Sequence, residues 1–217
     1  MKTKLVFVAI GGLAFTLLAT ASNTTELQPD RVSLFEVALR CPAAPQIGCG
    51  SSAKPILLKL EQESSVSEAW LNRAGTIVAV VWKADSTSKA RDNAAVILKE
   101  GEAKEIKGKA RDKELTEFLS GRGWYRGADV DRLSEEEASI IAARLVNRVQ
   151  AKTALANDKA ERLRQVLADT FRTMFTEGQN QKGLSVQDLA GGFLDEKQIA
   201  ILKEAIQKGV RPLDGEK

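Results

Sequence analysis

Two cysteines, Cys41 and Cys49, are the only conspicuous chemistry-bearing pair in this chain of 217 residues, which contains no histidine. Without imidazole the chain has no His general base and no His metal ligand, so a metal centre here would rest on sulfur and oxygen. Three uses of the pair are open. Two thiolates suit a soft cation such as Cu(I) or Hg(II) in near-linear coordination. Oxidation to a disulfide would close a nine-residue loop and stabilise the fold by roughly 2–3 kcal/mol on the chain-entropy estimate. Thiol–disulfide exchange is the third, although redox-active pairs are usually closer in sequence.

The compartment bears on that choice. Lys2 and Lys4 precede an apolar stretch from Leu5 to Ala19, and Ala19-Thr20-Ala21 offers the small residues a signal peptidase inspects. Residues 1–21 therefore read as a cleavable signal peptide cut after Ala21, giving a periplasmic or secreted protein with no stable membrane span in its mature form. In such compartments thiol pairs tend toward disulfides. The chain carries 32 basic and 29 acidic side chains, and removal of Lys2 and Lys4 leaves 30 against 29. That balance gives no reason to expect nucleic acid as a partner.

The elements that must position the cysteines follow from periodicity. Val32 to Arg40 alternates, with Phe35, Val37 and Leu39 on one face, and Cys41-Pro42 stops the strand. Ala53, Ile56, Leu57 and Leu60 recur at helical spacing, with Ser51 or Ser52 as the expected cap and Pro55 in the first turn. Val66 to Leu71 alternates again, and Asn72 to Gly75 is a turn. Thr76 to Trp82 is a continuous apolar run, as in a strand covered on both sides. A second helix begins near Ser86 to Ser88 and ends at Gly101, and Ala103 to Ile106 is a weak last strand. The order is βαββαβ, the split βαβ or ferredoxin-like arrangement, with each helix covering a face of a four-stranded antiparallel sheet.

The segment "CGSSAKPILLKLEQESSVSEAW", followed by "GTIVAVVW" and "STSKARDNAAVILKEGE", resembles the heavy-metal-associated (HMA) domain family, with its periplasmic mercury-binding members, over about residues 31–107. The resemblance implies a ferredoxin-like fold and a soft-metal site on the loop before the first helix. With Cys49 as the family's first cysteine, Ser52 stands where the second would be, and the other thiol is Cys41 upstream. The metal ligands expected are thus Cys41 and Cys49, with thiolates favoured by the dipole of the first helix.

Residues 108–130 read as a basic connector with a short helix around 114–119, and residues 131–210 as an all-α segment of three helices. Ser134 and Glu137 spell a capping box, Glu135 to Glu137 read as first-turn carboxylates, Asp158 starts a second helix, and Asp195 with Gln198 spells another box. Asp129 and Asp131 open a calcium-loop spacing that fails at Ser134 and Ile140. The sequence holds no catalytic fingerprint. The expectation is an α+β protein without enzymatic activity that binds or traffics copper or mercury in the bacterial envelope, together with another envelope protein. The alternative is a non-catalytic interaction module stapled by a Cys41–Cys49 disulfide.

Overall fold

A computed structural model describes residues 27–98, 103–177 and 185–216. The segment read as a signal peptide, residues 1–21, lies outside the described residues, as does Gly101. Among the described residues no helix is long and apolar enough to cross a membrane.

Five antiparallel strands form one sheet in the order β4-β1-β3-β2-β5. They are β1 (Val32–Glu36), β2 (Val66–Asn72), β3 (Ile77–Trp82), β4 (Lys104–Glu105) and β5 (Trp124–Arg126). The helix α1 (Gly50–Gln62) joins β1 to β2, and α2 (Ser88–Leu98) joins β3 to β4. Ala53, Ile56, Leu57 and Leu60 of α1 and Ala94, Ile97 and Leu98 of α2 bury against one face, where they meet Phe35, Ala69, Leu71, Val78 and Val80.

Both helices share that face. The opposite face is covered by α3 (Gly108–Leu119), which occupies most of the stretch read as a connector. Its Leu115 and Phe118 pack on Val32, Leu34, Ile77, Ala79 and Val81. Phe118 meets Trp70 and Trp124 edge to face, at 6.1 and 5.0 Å between ring centres. Trp124 belongs to β5, which pairs with β2 and extends the sheet. Every residue of β3 is buried because both of its faces are roofed, which is why its sequence is an unbroken apolar run.

The rest is helical: α4 (Asp131–Gln150), α5 (Asn157–Glu177), α6 (Val186–Ala190) and α7 (Glu196–Gln207). At α7 the capping box forms as expected. Asp195 Oδ1 accepts from Gln198 N at 2.8 Å, and Gln198 Oε1 accepts from Asp195 N at 3.2 Å. Leu194 and Ile199, both buried, make the staple beneath it. At α4 the box does not form. The helix starts at Asp131, so Ser134 and Glu137 lie inside it and are buried. The apolar side of α4 (Leu133, Ile141, Ala142, Leu145, Val149) joins α5, α7 and the α1 side of the sheet in one continuous core.

Candidate functional site

The two cysteines flank a small hairpin between β1 and α1. Residues 37–40 continue the strand direction beside the 72–76 turn, with Val37 N donating to Thr76 O at 2.8 Å and Leu39 N to Gly75 O at 3.0 Å. Arg40 and Gly48 then form an antiparallel bridge. Cys41 N donates to Ile47 O at 2.9 Å, and Cys49 N donates to Leu39 O at 2.8 Å. This pairing needs glycine on both sides. A Cβ on Gly48 would come within 2.9 Å of Gly75 Cα, and Gly75, at φ +69°, has Leu39 O only 2.5 Å from where its Cβ would stand.

The register explains why the thiols are free. Cys41 sits opposite Ile47 and Cys49 opposite Leu39, so the cysteines share a face but are diagonal to each other. Diagonal positions on a ladder stand about 7–8 Å apart, beyond the spacing a disulfide spans without backbone movement. No disulfide is formed, and the sulfurs are not near bonding distance. The staple anticipated from sequence would require the hairpin to shift by two residues or to break.

Cys49 is the N-cap residue of α1 and is partly exposed. Its Sγ lies 3.1 Å from Ser52 Oγ and 3.4 Å from Ser51 Oγ. The two serines are therefore not the cap: they stand in the first turn with their hydroxyls turned to the sulfur. Pro55 also falls beyond the first turn, because the helix begins at Gly50. A Cβ on Gly50 would collide with Ser134 Oγ and lie 2.7 Å from Val130 O, so only glycine lets the starts of α1 and α4 meet. An ion pair of Lys54 with Asp131 braces the same contact from outside, and one of Arg73 with Glu136 ties the turn after β2 to α4.

Cys41 is different. It is fully buried, and its Sγ accepts from Ala44 N at 3.2 Å. Glu137, reaching in from α4, accepts a hydrogen bond from the thiol. Burial, reinforced by the hydrogen bond to Glu137 and by its negative charge, pushes the Cys41 thiol up to about 12. For Cys41 this overturns the expectation of a thiolate stabilised by the helix dipole: α1 begins at Cys49, not at Cys41, and what faces Cys41 is apolar surface and a carboxylate. Burial also raises the Glu137 carboxyl, and the Cys41 hydrogen bond partly opposes it. Glu137 Oε2 and Ser134 Oγ are buried without a partner.

Glu137, Ser134 and Arg144 are the residues that sequence reasoning missed. The signal was present in the phase of α4: Leu133, Glu137, Ile141 and Leu145 follow one another at four-residue spacing on its buried side. Read from Asp131 rather than Ser134, the stripe includes a carboxylate, and a carboxylate on a core stripe calls for a partner. Arg144, 5% exposed, donates from Nη1 to Ala43 O within the hairpin at 2.7 Å.

Chemically, the site offers one open thiol beside two hydroxyls and one sealed thiol beside a carboxyl group. Among the described residues no three cysteine or acidic side chains converge as a ready metal cage. A soft cation would be held by the two sulfurs once the hairpin draws them together, with Glu137 supplying negative charge behind Cys41. Compared with protein-family models, with curated proteins and with solved structures, the chain matches none.

Proposed function

We propose that this protein carries a soft cation, Cu(I) or Hg(II), in the bacterial envelope, with Cys41 and Cys49 as its ligands and residues 1–21 as the export signal. The observation that carries the reading is the placement of two free thiols on one face of a hairpin at the junction of β1 and α1. Support for an HMA-like, ferredoxin-like first half comes from the β4-β1-β3-β2 order with α1 and α2 on one face. The carboxylate of Glu137 behind Cys41 favours a cation at that sulfur. The helical half, on this reading, is the wall that closes the site and the surface a second envelope protein would meet.

A second reading, a non-catalytic interaction module, is favoured by one observation: Cys41 is as buried as any core residue, and cysteine is a common core residue. Free-thiol counting by alkylation and mass on protein from the periplasm, with and without Cu(I), separates the two. Cu(I) shielding of both Cys41 and Cys49, lost in Cys49→Ser, is the outcome the carrier predicts. Unchanged alkylation of both thiols with Cu(I) present refutes it and leaves the interaction module.

A further inference from the structure

A carrier must let its cargo reach both ligands, and Cys41 is fully buried. The hairpin covering it buries Ala43, Ala44 and Ile47 in the core, and beyond the bond from Gly48 N to Arg73 O at 2.7 Å it is held by side chains from outside. One is Arg144, whose Nη1 donates both to Ala43 O at 2.7 Å and to Val210 O, in the segment after α7, at 2.8 Å. That segment, residues 209–216, has no regular structure and folds back on α4. Arg148, one turn along α4, holds it through Gly209 O at 2.5 Å and Arg211 O at 2.7 Å. Glu216 closes the arrangement, its two oxygens accepting from Arg148 Nε at 2.8 Å and Nη2 at 2.7 Å. Leu213 N also donates to Glu216 Oε2 at 2.9 Å.

The charges make the closure dependent on Glu216. Arg144 and Arg148 are both nine-tenths buried, and Glu216 is the one carboxylate paired with them in the described structure. It lies 4.0 Å from Arg144 Nε, which itself has no hydrogen-bond partner. Buried guanidiniums without a counter-charge are costly, so removing Glu216 works against both at once.

From this geometry we infer that the 209–216 segment is a latch on the cysteine hairpin, with Arg144 as the positioning residue that transmits its closure to Cys41. When the segment is docked, Arg144 is fixed and holds Ala43, and the hairpin stays shut over the buried sulfur. When the segment lifts, Arg144 loses Val210 and its neighbouring carboxylate together, and the grip on Ala43 weakens. The latch rests on the carrier reading for its purpose, since a cation is what the opened hairpin would admit. The contacts that make it a latch do not depend on any cation.

Maleimide labelling of the full chain, with Cys41 and Cys49 peptides quantified separately by mass, tests it without metal. Glu216→Gln is expected to speed Cys41 labelling about tenfold, the effect of weakening local closure by about 1.4 kcal/mol. Cys49 labelling should change less than about twofold, because its surroundings are independent of the latch. Arg144→Met should speed Cys41 as well, and adding Glu216→Gln to it should have little further effect, because both act through one contact. Equal acceleration of both cysteines, an unchanged Cys41 rate, or fully additive effects would each overturn the latch. If Arg144→Met does not fold, amide exchange at Ala44 and Ile47 in Glu216→Gln decides: faster exchange supports the latch and unchanged exchange overturns it. A final Cu(I) arm keeps the two ideas apart. Cu(I) shielding that is absent from every variant, with the labelling contrast intact, sinks the carrier and spares the latch. Shielding that persists without the contrast does the reverse.

Discussion

The two ends of the cysteine hairpin are built from the same backbone ladder yet present opposite chemistry. At the Cys49 end the sulfur meets two serine hydroxyls at the start of α1 and is open to solvent. At the Cys41 end, two rungs away, the sulfur is sealed beneath α4 against a buried carboxyl group. The hairpin does not create this difference. It comes from α4, whose side chains at 137 and 144 reach Cys41 and its loop. A thiol's reactivity here is set by a helix about one hundred residues along the chain, and the local sequence around each cysteine does not reveal it.

The largest effect should come from prising α4 away. Gly50→Val places a branched side chain into Val130 and Ser134, and should cost about 3 kcal/mol in urea unfolding. In the folded fraction Cys41 should then label at a rate closer to that of Cys49. A wild-type labelling contrast in that variant would mean that α4 is not the seal.

Next is the alkaline limb of stability. The Cys41 thiol titrates near 12 when folded against an ordinary 9.0, so folding favours the protonated form. That contribution is complete below pH 9 and is lost as pH rises from 9 toward 12. Unfolding midpoints should fall over this range, and Cys41→Ala should flatten the fall even though it lowers the starting stability. An unaltered alkaline slope in Cys41→Ala would place the buried titration elsewhere.

An acid counterpart tests the far end of the same helix. Arg148 first, then the Leu213 N–H and last Arg144, working against burial, hold the Glu216 carboxyl down to about 2, against an ordinary 4.5. Its contribution is present above pH 4.5 and is lost as pH falls from 4.5 toward 2. Glu216→Gln should therefore lose stability at neutral pH and show a shallower decline across that acid window. Smallest of all should be Lys152→Ala, which removes an exposed ion pair with Glu204 and should change stability by less than about 0.5 kcal/mol. A larger loss would mean that the outer surface of the helical half matters as much as its buried side.

Much of the fold was legible because its signals were local. The stripe at Ala53, Ile56, Leu57 and Leu60 fixed α1, and the apolar run of β3 announced a strand roofed on both sides. What roofed its second face was not legible, since α3 is a charged helix that contributes mainly Leu115 and Phe118 to the core. The two capping-box spellings show the limit most directly. At Asp195 the box rests on Leu194 and Ile199, two large side chains that clamp the turn. At Ser134 the corresponding pair would be Leu133 and Ala138, and a methyl group is too small to grip. The chain instead enters the helix at Asp131, and the residues taken for a cap become buried groups facing the cysteine hairpin. Of the site itself, Cys41 and Cys49 were visible. Glu137 and Arg144 were hidden by that displacement of four residues, from an expected cap at Ser134 to the observed one at Val130, and the diagonal register depends on a single bridge between Arg40 and Gly48.

The hydrogen bond from Arg144 to Ala43 spans 101 residues of chain. A ribosome adding about 5–20 residues per second needs roughly 5–20 s to cover that distance. For that interval, and longer until Glu216 emerges, each nascent molecule has made Cys41 but not the helix that will shelter it. Each newly made molecule therefore passes once through a period in which both thiols are equally exposed. Whatever oxidant or cation meets the chain then acts on a different molecule from the one that later circulates, so the history of synthesis can determine which sulfur chemistry the finished protein retains.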